Sequence, residues 1–226
     1  MKYNAIIVAG GSGTRMQSSI PKQFLRINNT PIIIHTIRAF QKFSKEINII
    51  LVLPKDSIPI WEELKKQYTD IKDIQTCLGG KSRFQSVSNG LACIKSENNN
   101  LVAIHDGVRP FATVQMIQNA FDEAEKYGNA ICSVKPKDSI RKLNAEGNSQ
   151  AVDREAYRII QTPQTFKVEV IKQAFQTEEM SFFTDDASVA EYAGHMIHLV
   201  EGSYENIKIT TPEDLYLGEA ILSKQK

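Results

Sequence analysis

Residues 5–22 read Ala-Ile-Ile-Val-Ala-Gly-Gly-Ser-Gly-Thr-Arg-Met-Gln-Ser-Ser-Ile-Pro-Lys, and this stretch decides the fold. An apolar run ends at Ala9 and gives way to a loop carrying Gly10, Gly11 and Gly13. Arg15 and Lys22 follow with no carboxylate between them. A strand that runs into a glycine-rich turn presents backbone N–H groups, because glycine tolerates positive φ and lets a ligand approach closely. Two cations beside such a nest suit a ligand with several negative charges, and a nucleoside triphosphate fits that description. The P-loop pattern Gly-x4-Gly-Lys-Ser/Thr is absent, since no lysine follows the glycines at that spacing. The dinucleotide pattern Gly-x-Gly-x-x-Gly also fails: counted from Gly11 its last position is Met16, and counted from Gly10 its second glycine is Ser12. The plain alternative is an ordinary strand-to-helix turn, which has no need of Arg15 and Lys22.

Outward from this loop, strand and helix patterns alternate, which predicts an α/β protein with a mainly parallel sheet flanked by helices. Strands are expected at 5–8, 47–53, 74–77, 101–105 and 130–134, and helices at about 31–43, 57–67, 82–94 and 114–127. Pro31 suits an early helical position. Residues 135–155 break the rhythm with a polar stretch, the turn-like cluster Asn144-Ala145-Glu146-Gly147-Asn148 and a short extended piece. They predict a projecting hairpin, either a solvated loop or an arm that reaches a second subunit. Further on, Asn206-Ile207-Lys208-Ile209 reads as a short strand ahead of a helix start in which Thr211 caps, Pro212 takes the first turn and Glu213 and Asp214 suit the positive helix end.

The 226 residues fit one domain able to bury roughly 70–75% of its unfolded surface. A net charge of +1 leaves no broad field for nucleic acid or an anionic membrane, so polyanion binding must rest on a few placed cations. No apolar stretch is long enough to span a bilayer, and Met1-Lys2-Tyr3-Asn4 does not open a signal peptide. Cys77, Cys93 and Cys132 are widely spaced and read as buried free thiols of a cytoplasmic protein. His195 and His198 are expected on a strand spanning 195–200, where they point to opposite faces and make a poor metal pair.

Several short motifs can carry chemistry. His105-Asp106-Gly107-Val108-Arg109-Pro110 follows a strand, placing Asp106 where α/β sheets bind ligands. Its carboxylate could meet magnesium or its water, or could pair with Arg109 to brace the loop. Gly79-Gly80-Lys81-Ser82-Arg83 could hold a base or ribose, or form a helix entry capped by Ser82. Arg154 suits a monophosphate through its forked guanidinium, near Gln161-Thr162-Pro163-Gln164. Lys208 alone reads as a solvated face.

Together the motifs resemble the 2-C-methyl-D-erythritol 4-phosphate cytidylyltransferases of the non-mevalonate isoprenoid route. The likeness spans nearly the whole chain through Ala9 to Met16, Pro21-Lys22-Gln23-Phe24, Gly79 to Arg83, His105 to Pro110, Val152-Asp153-Arg154, Thr162-Pro163-Gln164, Thr184-Asp185-Asp186-Ala187-Ser188 and Asn206-Ile207-Lys208. The resemblance implies a Rossmann-like nucleotidyltransferase fold, a magnesium cofactor, and a homodimer whose 135–155 arm helps build the neighbour's site. It implies that Arg15, Lys22 and Lys208 stabilise the reacting phosphates. Ala9, Gly10, Gly11 and Gly13 would cradle CTP, and Gly80, Arg83 and Ser86 would lie near cytosine and ribose. Asp106 and Gly107 would meet the nucleotide and Asp106 the metal, with Arg109, Ser139, Arg154, Thr162 and Lys208 at the alditol phosphate. Two positions depart from the commonest pattern: Gly107 where alanine is usual and Ser139 where threonine is common. Both keep the chemistry and touch only fine substrate positioning. Ribitol-5-phosphate cytidylyltransferases share the glycine loop and the Thr-Pro-Gln motif. The 184–188 run, Val152-Asp153-Arg154 and the short connection from Arg15 to Lys22 favour the methylerythritol branch. A non-catalytic nucleotide sensor on the same fold would be expected to lack Arg15, Lys22 or Asp106, and all three are present.

Overall fold

Apolar runs in this chain become strands because both their faces are covered, as continuous hydrophobic strands require. The computed structural model describes residues 3–11, 16, 20–95 and 100–224. Strand β1 (Tyr3–Val8) is followed by the two-residue strands β2 (Arg26–Ile27) and β3 (Thr30–Pro31), which pair as a small ribbon. Helix α1 (Ile32–Phe43), β4 (Asn48–Leu53), α2 (Ile58–Gln67), β5 (Gln75–Leu78), α3 (Arg83–Ala92) and β6 (Leu101–Asp106) then alternate as expected. Next come α4 (Val114–Tyr127), β7 (Asn129–Val134), the hairpin strands β8 (Arg141–Leu143) and β9 (Ser149–Ala151), and β10 (Ile159–Lys167). The remainder comprises α5 (Val168–Ala174), α6 (Asp186–Tyr192), β11 (Leu199–Glu201) and α7 (Pro212–Lys224).

The main sheet runs β11-β7-β10-β6-β1-β4-β5. β1 pairs in parallel with both β4 and β6, β4 with β5, and β7 with β11, while β10 lies antiparallel between β6 and β7. One core lies under α1 and α4, where Ile33, Ile37, Phe40, Ile117 and Phe121 meet Ala5, Ile7 and Leu51. The other lies beneath α3, α5 and α6, where Val87, Leu91, Ile171 and Val189 meet Ile6, Val52 and Ile104. Helix α4 starts at a Thr113 cap, whose hydroxyl accepts the Met116 N–H at 3.2 Å, and ends at Gly128 with φ +89°.

Strand β10 has no counterpart in the sequence expectations. Gln161, Thr162, Gln164 and Thr165 are polar yet buried, and Pro163 argues against a central strand. The ladder to β7 is broken between Ile160 and Gln164, so Pro163 sits where a missing N–H donor is tolerated. Shorter expectations are also corrected. His195 and His198 precede β11 rather than lying on it; the His198 ring stacks on Tyr127 at 3.8 Å, and the His198 backbone N–H donates to Asn129 Oδ1. Residues 206–209 form no strand, because Asn206 and Ile209 are held by loop contacts instead. Pro31 is the N-cap of α1 rather than its first residue. Of the thiols only Cys132 is fully buried; Cys77 and Cys93 are half-buried, and burial pushes Cys77 up to about 11 and Cys132 up to about 12. No helix among the described residues is long and apolar enough to cross a membrane.

Candidate active site

The crossovers from β1 lead to β4 and β5 on one side, while β6 lies on the other, so the β1–β6 boundary is a topological switch point. A cleft of about 230 Å³ opens there at the carboxyl ends of the strands. One wall is the loop from Ala9 to Gly11, the other the turn from Gly80 to Arg83, with Lys22, Asp106 and Lys208 at its floor and rim. The turn is self-braced. Gly80 N–H donates to Ser86 Oγ at 3.1 Å, Ser86 Oγ donates to the Ser82 carbonyl at 2.8 Å, and Ser82 Oγ accepts the Gln85 N–H that caps α3. A Cβ on Gly80 would collide with Gln85, so only glycine closes this turn. The motif is thus a helix entry capped by Ser82 that also lines the cleft.

Lys22 is buried in the single 3-10 turn Lys22–Phe24, and its stem runs beneath the glycine loop: a Cβ on Gly11 would lie 3.4 Å from Lys22 Cε. Gln23 Nε2 donates to the Ala9 carbonyl at 2.9 Å, pinning that loop to the same turn. Gly107 N–H donates to the Val8 carbonyl at 2.8 Å. A Cβ on Gly107 would sit 2.9 Å from Ala9 Cβ and 3.0 Å from Ile33 Cδ1, which accounts for glycine at this position in this chain.

A second cleft of about 280 Å³ is bounded by Arg109, Ile160 to Thr162, Gln164, Thr184 and Asp185. Arg83, Asp106 and Lys208 line both clefts, so the two meet at these three side chains. Asp106 Oδ2 lies 3.1 Å from Lys208 Nζ and 3.1 Å from Arg109 Nε, and Oδ1 lies 4.0 Å from Arg83 Nε. Burial disfavours the ionised carboxylate, but Lys208, Arg83 and Arg109 outweigh it and hold Asp106 well below the usual carboxylate range. Thr162 Oγ accepts the Asp106 N–H at 3.0 Å, and Arg109 Nη1 donates to the Asn206 carbonyl at 2.9 Å. Asn206 Nδ2 in turn donates to the Thr162 carbonyl at 2.8 Å, fixing the segment that carries Lys208. Arg109 thus braces the loop while Asp106 faces both clefts. Five cations (Lys22, Lys81, Arg83, Arg109 and Lys208) line these clefts against the carboxylates of Asp106 and Asp185.

No group of three or more His, Cys, Asp or Glu side chains able to hold a metal occurs among the described residues. This donor set suits magnesium better than a caged ion. Magnesium binds through one or two carboxylates plus substrate phosphates and keeps several waters, and Asp106 supplies one carboxylate between two clefts lined by cations.

His105, beside Asp106, is fully buried and edge-on to Phe40, with Nε2 donating to the Arg109 carbonyl at 3.0 Å. Burial lowers its pKa from 6.5 to about 4. Its contribution to stability is complete above 6.5 and is lost as pH falls toward 4, because the unfolded chain takes up the proton first. A loss of about 2 kcal/mol is expected between pH 7.5 and pH 5 from this residue. Urea unfolding at the two pH values should show it, and His105→Gln should remove most of that slope.

Similarity to known proteins agrees with the site. The profile of the 2-C-methyl-D-erythritol 4-phosphate cytidylyltransferase family (IspD) matches residues 3–224. The chain belongs to this family. It is a cytidylyltransferase, a nucleotidyltransferase of isoprenoid biosynthesis. A family enzyme from Bacteroides thetaiotaomicron is 46% identical over 222 residues, covering 98% of this chain and 100% of that protein. One from Bacteroides fragilis is 45% identical over 223 residues, covering 98% and 100%. The crystal structure of 4-diphosphocytidyl-2C-methyl-D-erythritol synthase from Anaerococcus prevotii superposes with a TM-score of 0.82 at 29% identity, covering 98% of this chain and 96% of that one.

Against the family pattern, Ala9, Gly10, Gly11, Lys22, Gly80, Arg83, Ser86, Asp106 and Lys208 share the first cleft, and Arg109 and Thr162 share the second. Gly107 lies behind the first cleft rather than on its wall. Gly13 and Arg15 fall outside the described residues. Ser139 and Arg154 line neither cleft: both are exposed at the base of the hairpin, where Arg154 Nη1 donates to the Lys137 carbonyl at 2.7 Å. Gln164, Asp185, Asp186 and Asn206 had no assigned role in the sequence. An Asp-Asp pair ahead of a helical run does signal a cap, and Asp185 indeed closes a capping box with Ser188.

Proposed function

We propose that the first cleft takes CTP and the second takes 2-C-methyl-D-erythritol 4-phosphate, with reaction at their junction. An oxygen of the acceptor phosphate attacks the α-phosphorus of CTP. A new P–O bond forms as the bond to the β-phosphate breaks, giving 4-diphosphocytidyl-2-C-methyl-D-erythritol and pyrophosphate. The nucleophile is already an anion, so no general base is required. The difficulty is bringing two polyanions together, which calls for alignment and charge neutralisation. Lys22 under the glycine loop and Lys208 at the junction serve the reacting phosphates, with Arg15 assigned alongside them. Ala9, Gly10, Gly11, Gly13, Gly80, Arg83 and Ser86 hold the nucleotide. Arg109 and Thr162 hold the acceptor, with Lys208 reaching it too. Asp106 would hold magnesium together with phosphate oxygens and water, and the bound ion would neutralise charge on the triphosphate. The observation that carries this reading is the sharing of Arg83, Asp106 and Lys208 by both clefts.

The assay is pyrophosphate release from CTP and magnesium with each alditol phosphate in turn. Turnover with methylerythritol phosphate well above that with ribitol 5-phosphate is expected. The reverse preference would overturn the acceptor assignment, and CTP binding without pyrophosphate release would overturn the enzyme itself. A cytoplasmic setting belongs to the same proposal and is supported by the three free thiols.

The arm is proposed to complete the site of a second copy in a homodimer. Both hairpin strands are exposed throughout, and Ser139 and Arg154 stand away from their own chain's clefts. A mixture of Arg154→Ala and Lys208→Ala chains tests this. In a mixed dimer one site keeps Lys208 from one chain and Arg154 from the other. Random pairing of two inactive variants should therefore restore about a quarter of wild-type activity. No recovery on mixing would place Arg154 outside any shared site.

A further inference from the structure

Arg83 reaches the junction of the two clefts from α3, yet its guanidinium is committed elsewhere. Nη1 and Nη2 make a forked pair with Asp186 at 2.7 and 2.6 Å, which leaves Nε turned toward Asp106 Oδ1 at 4.0 Å. Such a fork fixes direction as well as distance. Asp186 is completely buried and so cannot be serving water. It is itself held from β10. Gln164 Oε1 accepts the backbone N–H groups of Asp186 and Ala187 at 3.0 and 2.9 Å, and Gln164 Nε2 donates to Asp185 Oδ2 at 2.9 Å. The loop so fixed carries Thr184 and Asp185, which wall the acceptor cleft.

We propose that Asp186 is a positioning residue for the transfer: it holds Arg83 at the junction and locks the acceptor-cleft loop to the nucleotide-cleft turn. The inference rests on the two-cleft reading above. Without Asp186 the guanidinium is free to swing onto whichever phosphate is nearest, and the acceptor wall loses its charged tie to α3, keeping the stacking of Phe183 on Phe84. The nucleotide cradle keeps its own braces, Gln23 to the Ala9 carbonyl on one wall and Ser86 to Gly80 on the other. In-line transfer is sensitive to displacements of about 1 Å, so the defect should fall on alignment more than on nucleotide binding, to which Arg83 is one contributor among several.

The test compares Asp186→Asn, Arg83→Gln and the double variant, using wild-type enzyme as reference. Asp186→Asn should lower kcat/KM for the acceptor phosphate about 10- to 100-fold. CTP binding measured alone by calorimetry should weaken by a clearly smaller factor than the acceptor kcat/KM, because Arg83 is one of several groups that hold the nucleotide; general loosening of the fold would not produce that split. Because Asp186 acts through Arg83, adding Asp186→Asn to Arg83→Gln should cost no more than about a further threefold. That comparison also stands if Asp186→Asn by itself folds poorly, since the double variant replaces the ion pair with a neutral pair able to hydrogen-bond. Multiplying effects in the double variant, or equal losses in CTP binding and in turnover, would overturn the proposal. Wild-type pyrophosphate release would be untouched by that outcome, so its failure is distinct from failure of the two-cleft reading.

Discussion

Replacing Lys22 with alanine is expected to lower kcat/KM by about 10²–10³, equivalent to about 3–4 kcal/mol of transition-state stabilisation. The reason is placement. Lys22 is buried at the cleft floor, and its ammonium stem passes under Gly11, where a triphosphate in the cradle must bring its charge. A fixed cation in a water-poor site is worth far more than one in solvent, and its geometry needs no reorganisation as charge moves to the leaving pyrophosphate. Packing and charge are separable here. Lys22→Met keeps the stem that fills the space beneath the loop and removes only the ammonium. Both variants should lose turnover alike, while thermal unfolding of Lys22→Met stays within a few degrees of wild type. Near-wild-type turnover in the methionine variant would remove Lys22 from the transfer step.

How much of this was readable in the sequence depends on whether a contact is local. Helix α4 was legible at about 114–127 because its apolar period lies within one window, and the Thr113 cap and Gly128 that bound it are local as well. Strands β1, β4 and β6 declared themselves as apolar runs because helices cover both faces of the sheet. The hairpin was legible from its turn cluster, and the register Arg141 to Ala151 follows from that turn. Strand β10 was invisible because its buried Gln161, Thr162 and Gln164 are satisfied by partners far along the chain, Ser203, Asp106 and Asp186. The same limit applies to the site. Asp106 was placed by its position after a strand, and its bond to Arg109 is local. The Arg83–Asp186 fork spans 103 residues, and the approach of Lys208 to Asp106 depends on Asn206 anchoring a segment without regular structure. Such pairings are properties of the folded sheet, and a single sequence holds no pattern for them.

Asp106→Asn is expected to lose both stability and turnover, and the balance of charges says why. In the wild type one buried carboxylate sits among Lys208, Arg109 and Arg83, and their attraction exceeds the cost of burying it. Removing the charge leaves these cations facing one another. Arg83 keeps Asp186 as partner, whereas Arg109 and Lys208 keep no carboxylate among the ion pairs formed by the described residues. Lys208 is 40% exposed at its side chain, so water screens part of the repulsion. A loss of about 3 kcal/mol results, at the low end for breaking a buried pair, and Tm should fall by about 6–12 °C for a chain of this size. The sign of the anion effect then discriminates mechanisms. With the carboxylate gone, the cation cluster should take up inorganic pyrophosphate more tightly, so pyrophosphate should raise Tm more in Asp106→Asn than in wild type. Turnover should nevertheless fall at least about 10²-fold, because tighter holding of a ground-state anion does not align the two phosphates. The magnesium concentration needed for half-maximal rate should rise as well. A variant that keeps wild-type magnesium dependence and full turnover would show that Asp106 only braces the Arg109 loop. Because its carboxyl lies so far below the ordinary range, wild-type activity should show no acid limb from Asp106 between pH 5 and pH 8, and the pH–rate profile checks that directly.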